Sequence, residues 1–232
     1  MHMTYNAKDE WTRLYQASEE IAYPAEGVIR LLKGTFPGLK MPRPTSGNIL
    51  DLGCGDGRHF PLFEQVGLTG YGTEISEEIC SAITKRLNER GIKFGEILNG
   101  TTDNLSYPDR FFDYLLTWNS CYYMTSGQGL DFGIHIREMA RVLKKDGWII
   151  CSIPKKTSFV YENSRAAEIP GFRVLAKDPW GTREGEIMKC FESRDEIEQE
   201  FGECFHDFCH ADIDMDWFGL AYHWHVFVAR RK

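Results

Sequence analysis

The short apolar run Asn48-Ile-Leu-Asp-Leu52 passes without interruption into Gly53-Cys-Gly-Asp-Gly57. An apolar run of this length, bounded by glycine, reads as a strand buried on both faces. Glycines at alternate positions let the chain turn sharply at the strand's end and approach a ligand closely, because no Cβ stands in the way. In an open parallel sheet the end of such a first strand borders the crevice in which ligands bind. From residue 48 to 154 apolar and polar segments then alternate as strand, helix, strand, helix, the pattern of a parallel sheet covered on both faces.

A second strand is expected over Leu68–Glu74, followed by a helix capped by Ser76, with Glu77 and Glu78 at its positive end. Lys93–Leu98 and Phe111–Asn119 read as the third and fourth strands. Leu130–Lys145 places Ile134, Ile136, Met139, Val142 and Leu143 largely on one helical face; Asp146-Gly147 is expected to end that helix, and Trp148–Ile153 to form a fifth strand stopped by Pro154. Two helices precede the sheet, near residues 8–18 and 24–35, with Pro24 as first residue of the second. Residues 155–185 read as an irregular functional loop. A capping box, Ser193-Arg-Asp-Glu196, opens a helix to Phe201, and Glu203–Met215 with Ala221–Arg230 reads as a terminal hairpin. The expectation is one α/β domain with a Rossmann-like, seven-stranded, mostly parallel sheet, an antiparallel last strand and helices on both faces. Within it, residues 1–40 form a helical cap, 46–154 a cofactor-binding core, 155–190 an acceptor-side insertion and 191–232 the closing helix and hairpin.

With 232 residues, 42% of them hydrophobic, the chain can bury a substantial core. Its formal net charge of -7 argues against a nucleic-acid partner, since no basic field surrounds it. The 7 cysteines are scattered without a CxxC pair, a usage that suits reduced thiols. The opening MHMTYNAKDEWTRLYQ has no apolar core of a signal peptide, and no apolar run is long enough for a membrane span. A soluble, cytoplasmic protein is expected.

Asp51 and Glu74 end the first two strands, one strand-helix-strand step apart. A carboxylate at the second position can accept hydrogen bonds from both hydroxyls of a ribose. A dinucleotide fingerprint would require a third glycine where this chain has Arg58, too large for close helix-to-strand contact. Cys204, His206, Cys209 and His210, facing His223 and His225, match no common zinc spacing, and no metal is expected. The acidic series Asp212, Asp214, Asp216 reads as a solvated strand face.

The runs ILDLGCGDGRHF, GYGTEIS and TTDNLSYPDRFFDYLLTWNSCYYM, with the later REMARVLKKDGWIICSIP, resemble the successive motifs of class I S-adenosylmethionine-dependent methyltransferases. The resemblance implies S-adenosylmethionine as cofactor and S-adenosylhomocysteine as product. It implies that Gly53, Cys54 and Gly55 lie under the methionine part, with Asp51 facing its ammonium group. Glu74 would hold the ribose, Ile75 would pack on the adenine, and Thr101 and Thr102 would meet the adenine edge. Trp118 and Asn119 would present backbone carbonyls to the ammonium.

The favoured reading is methyl transfer to an oxygen or nitrogen of a small-molecule acceptor. The alternatives are an RNA or protein methyltransferase and a catalytically silent nucleoside-binding module. His135, His206, His210, His223, His225, Tyr122 and Tyr123 are candidate proton acceptors, none of them singled out by the sequence. Phe159, Tyr161, Arg165, Trp180 and Arg183 of the insertion suit a grip on a polar small molecule. Trp11 and Tyr15 lie on a helix placed to close over the cofactor. A folded chain lacking residues 1–20 is therefore expected to bind S-adenosylhomocysteine much more weakly; unchanged affinity by calorimetry refutes that cap.

Overall fold

The computed structural model describes residues 6–16, 20–124 and 130–232. Five parallel strands form the core of its main sheet: β1 (Asn48–Leu52), β2 (Thr69–Glu74), β3 (Ile97–Asn99), β4 (Phe112–Trp118) and β5 (Leu143–Pro154). A small second sheet holds β6 (Ser164–Ala166), β7 (Phe172–Leu175) and β8 (Ile187–Lys189). The hairpin β9 (Phe205–Trp217) and β10 (Leu220–Arg231) completes the first, in the order β3-β2-β1-β4-β5-β10-β9, with β10 antiparallel to both neighbours. The main sheet is thus seven-stranded and mostly parallel, as the alternation predicts. Its order reverses between β1 and β4, which opens a crevice at their carboxyl ends.

Successive side chains of a strand point to opposite faces. Leu50, Leu115, Ile149 and Phe227 therefore join one core with Phe132, Ile136 and Met139 of α5 (Phe132–Val142) and Phe201 of α7 (Arg194–Phe201). Their neighbours Ile49, Leu116, Ile150 and Val228 join the other. That second layer is supplied by α2 (Glu26–Lys33), α3 (Phe60–Gln65) and α4 (Glu77–Glu89). Caps fall where the sequence places them: Ser76 accepts from Ile79 N–H and Ser193 from Glu196 N–H.

The first helix, α1, spans Ala7–Gln16; the expected end at 18 lies outside the described residues. Four expectations change. The second starts at Glu26, with Ala25 as cap and Pro24 outside it. Leu143, fully buried, leaves the helix and opens β5, so Asp146-Gly147 marks a bulge within that strand, with Asp146 at φ 65. The third strand is shorter than predicted, because Gly95 packs against the Tyr71 ring and pairing becomes regular only from Ile97. The insertion is ordered: a short helix α6 (Phe159–Glu162) and the sheet β6-β7-β8 replace the expected irregular loop. Buried Phe172 ties that small sheet to the main core, and Leu175 and Met188 tie it to the cluster of Tyr122, Phe159 and Trp224.

Two glycines on β2 set how closely α3 approaches. A Cβ at Gly70 would lie 2.8 Å from Phe63 and 2.9 Å from Phe60; one at Gly72 would lie 2.7 Å from Cys54 Sγ and 3.1 Å from Phe60. Gly72→Ala is expected to lower unfolding free energy by about 1–3 kcal/mol through overpacking. Urea titration checks this, and parental stability would mean that the α3 contact yields freely.

Candidate functional site

Gly53, Gly55 and Gly57 all take positive φ (71°, 62° and 84°), where an ordinary side chain is strained. The bend is pinned to the neighbouring strand. Gly53 N–H and Cys54 N–H donate to the Thr73 carbonyl at 2.9 and 3.2 Å. Gly55 N–H donates to Glu74 Oε1 at 2.6 Å, and Ile75 N–H to Oε2 at 3.1 Å. A Cβ at Gly53 would come within 2.7 Å of Ser120, too close without a shift, and one at Gly55 would press on the Tyr15 ring at 3.1 Å. Glu74 is only 7% exposed. Burial raises its pKa most; the two amide donors lower it and Asp51 raises it, leaving it at about 7.

A cleft of about 100 Å³ lies over these groups. Gly53, Thr73, Glu74 and Ile75 form one wall, Gly100, Thr101 and Thr102 another, and Asn119 and Ser120 border β4; Trp11 and Tyr15 of α1 complete the lining. Those two rings stack at 5.7 Å. Helix α1 is fastened to α4 by Thr12 Oγ1 donating to Ser76 Oγ at 2.8 Å and Arg86 Nη1 donating to the Tyr15 carbonyl at 3.0 Å. Burial, helped by the Glu74 charge, pushes the Tyr15 hydroxyl's pKa well up.

A second chamber of about 480 Å³ shares Trp11, Tyr15, Gly53, Asn119 and Tyr123 with the first. Cys54, Gly55 and Trp118 line this chamber rather than the cleft. The insertion contributes Trp180, Thr182 and Arg183 to it. Arg183 is clamped by Asp178 at 2.6 Å and donates to the Tyr123 hydroxyl at 3.1 Å. Burial alone would raise Asp178, and the guanidinium holds it below the usual carboxylate range. Asn119, at φ 60, is held by Ser152 Oγ at its backbone N–H (2.8 Å), and its side-chain amide donates to the Tyr222 hydroxyl.

Of the residues predicted from sequence, Gly53, Glu74, Ile75, Thr101, Thr102 and Asn119 therefore meet in one cleft. Asp51 does not line it: the carboxylate is buried and bonded to His59 Nδ1 at 2.9 Å. The histidines named as proton acceptors lie elsewhere. His135 is buried in α5 beside the Cys121 carbonyl. On the terminal hairpin His206 and His225 pair with Asp207 and Asp212, His210 pairs with Glu198 of α7, and His223 meets Thr157. Tyr123 faces both cavities, whereas His59, unnoticed in sequence, is the one histidine among the described residues that borders the larger chamber. The available signal was its place just after the bend, within reach of Asp51. Among the described residues no group of three or more His, Cys, Asp or Glu is arranged to hold a metal ion, and no helix is long and apolar enough to cross a membrane.

Residues 50–151 match the family model described as Methyltransferase domain. The span contains the bend, Glu74 and the end of β4. Over these residues the chain is similar to methyltransferase domains. A demethylmenaquinone methyltransferase of Listeria welshimeri is 31% identical over 121 residues, or 49% of this chain. The match covers 48% of that protein, so the chain spans about half the length of the curated relatives it matches. An S-adenosylmethionine-dependent methyltransferase of Methanosarcina mazei has a similar fold over 90% of this chain and 99% of its own, with a TM-score of 0.65 at 17% identity. A Thermotoga maritima methyltransferase, described as a possible histamine N-methyltransferase, is similar over 96% of this chain and 91% of its own, with a TM-score of 0.57 at 20% identity.

The cleft chemistry suits S-adenosylmethionine, the cofactor that the resemblance implies. Each Glu74 oxygen receives one backbone donor and keeps a lone pair for a hydroxyl. Thr73 Oγ1, which belongs to a cleft-lining residue, is buried without a partner. The raised Glu74 pKa also makes a stability statement. A folded-state value of about 7 above the ordinary 4.5 favours the fold fully below pH 4.5, and that contribution is lost as pH rises through 7. Ligand-free protein is expected to lose on the order of 3 kcal/mol between pH 4.5 and 8 from this group. Urea midpoints of parent and Glu74→Gln across that range measure it; identical pH slopes refute it.

Proposed function

We propose that the chain transfers a methyl group from S-adenosylmethionine to an oxygen or nitrogen of a small-molecule acceptor. The single observation that carries this reading is the buried Glu74 carboxylate, tied to the glycine bend and bordering a cleft that continues into an aromatic chamber. In this reading Glu74 accepts from both ribose hydroxyls, Ile75 packs on the adenine, and Thr101 and Thr102 meet its edge. Gly53, Cys54 and Gly55 lie under the methionine part, and the backbone carbonyls of Trp118 and Asn119 meet its ammonium. Asp51 reaches that ammonium only through intermediate groups, because its carboxylate is engaged by His59.

S-adenosylmethionine, when bound, supplies an activated methyl on its sulfonium. The protein's task is then to hold the acceptor atom in line and keep water away, which is where most of the acceleration comes from. Trp11 and Tyr15 cover the junction of cleft and chamber. Tyr123, Trp180 and Tyr222 offer flat apolar faces with polar tips, suited to a compact acceptor. The acidic net charge and the small-molecule acceptor in the Listeria relative's name support a metabolite over RNA or protein.

Calorimetry with S-adenosylhomocysteine and with NAD, followed by a labelled-methyl screen of small-metabolite pools, tests the reading. S-adenosylhomocysteine is expected to bind with micromolar strength and NAD not to bind. Glu74→Ala, shown to be folded, is expected to weaken binding at least about tenfold, the effect of losing charge-assisted hydrogen bonds. Parental affinity in that variant, or preference for NAD, overturns the assignment.

A further inference from the structure

His59 follows the glycine bend directly and caps α3 at only 5% exposure. Its Nδ1 lies 2.9 Å from Asp51 Oδ2, and both side chains are almost fully buried. Its Nε2 is buried and has no hydrogen-bond partner. Buried polar atoms are nearly always bonded, so an orphaned imidazole nitrogen calls for an explanation. His59 is one of the residues that line the larger chamber, together with Gly53, Gly55, Asn119, Tyr123 and Tyr222.

We propose that His59, oriented by Asp51, is the proton acceptor for a hydroxyl or amine bound in the chamber; this rests on the methyl-transfer reading above. A carboxylate can only accept, so the Asp51 bond puts the ring proton on Nδ1 and leaves a lone pair on Nε2. As the acceptor's oxygen or nitrogen forms its bond to the methyl carbon, the sulfur–methyl bond breaks and its electron pair stays on sulfur as a neutral thioether. The acceptor's proton passes to Nε2. The positive charge that leaves sulfur thus reappears on the imidazolium, where the Asp51 carboxylate meets it. A carboxylate plays the same part behind the histidine of a serine-protease triad.

The charges around the ring favour this step. From β1 comes Asp51, bonded directly. From the bend come Asp56 and Arg58, paired with each other at 2.9 Å. Within α3 the neighbour is the Phe63 ring, 6.2 Å away. Across the chamber stand Tyr15 of α1, Tyr222 of β10 and Arg183, the last already paired with Asp178. Asp51 is thus the charge left to balance an imidazolium.

Two measurements on the full chain test this. In protein labelled with 15N-histidine and saturated with S-adenosylhomocysteine, the signal missing from His59→Gln identifies His59. Its neutral ring is expected to carry the proton on Nδ1. A neutral ring with the proton on Nε2 overturns the proposal, and this arm needs no known acceptor. With the acceptor returned by the labelled-methyl screen, His59→Gln is expected to bind S-adenosylhomocysteine within about twofold of parent while methyl transfer falls about 10²–10⁴-fold. The ring ionisation seen by NMR should reappear in the parent's pH profile and vanish from the variant's. Transfer within about threefold of parent, or an unchanged pH profile, overturns the proposal. Failure of the parent itself to bind S-adenosylhomocysteine sinks the methyl-transfer reading instead, so the two failures are distinct.

Discussion

The hydrogen bond from Gly55 N–H to Glu74 joins the end of β1 to the end of β2 through a carboxylate nearly sealed from water. Much of the site follows from it. The bend must present an amide to that oxygen, which fixes the direction of the backbone over the strand tips. With both oxygens met by amides, the side chain cannot swing away to solvent. A charge-assisted bond to a backbone N–H is short and directional, so it holds position as well as charge. Desolvation works against ionisation here, and a ligand offering further donors to the carboxylate relieves that opposition.

The glycines of β2 extend this constraint into the core. Gly70 and Gly72 allow Phe60 and Phe63 to lie directly on the strand, and Gly72 also leaves room for the Cys54 side chain below the bend. A larger residue there would lift α3, and with it His59 at the helix cap. Packing beneath the loop and chemistry above it are therefore set by the same strand.

What could be read from the sequence was what is local. The strand-glycine pattern at Asn48–Gly57, the Ser76 and Ser193 caps and the carboxylate ending β2 are each specified by a few adjacent residues. The errors share the opposite property. Leu143 was drawn from the helix into β5 by burial in a distant core, overriding local helix propensity. The insertion folded into β6-β7-β8 because Phe172, Leu175 and Met188 found apolar neighbours that no short pattern foretells. His59 was missed because its meaning depends on Asp51 across the bend. The hairpin histidines drew notice because they were close in sequence, yet they pair with surface carboxylates far from the cleft.

Asp51 and Glu74 are buried on adjacent strands, and the charge of the first raises the pKa of the second. Two carboxylates so placed repel each other in a medium that screens poorly, and the fold alone does not remove that tension. It is divided instead: Glu74 leans on backbone amides, and Asp51 leans on an imidazole. A cationic nucleoside entering the cleft would ease the remainder, so the arrangement favours a positively charged ligand over a neutral or anionic one of the same shape. Once the methyl departs, that ligand loses its positive charge and with it this electrostatic attraction. Charge alone thus gives the cleft a preference for the loaded cofactor, provided that the proton released by the acceptor has somewhere to go. The Asp51–His59 pair, buried beside the bend with one nitrogen unengaged, is where the structure offers that proton a place.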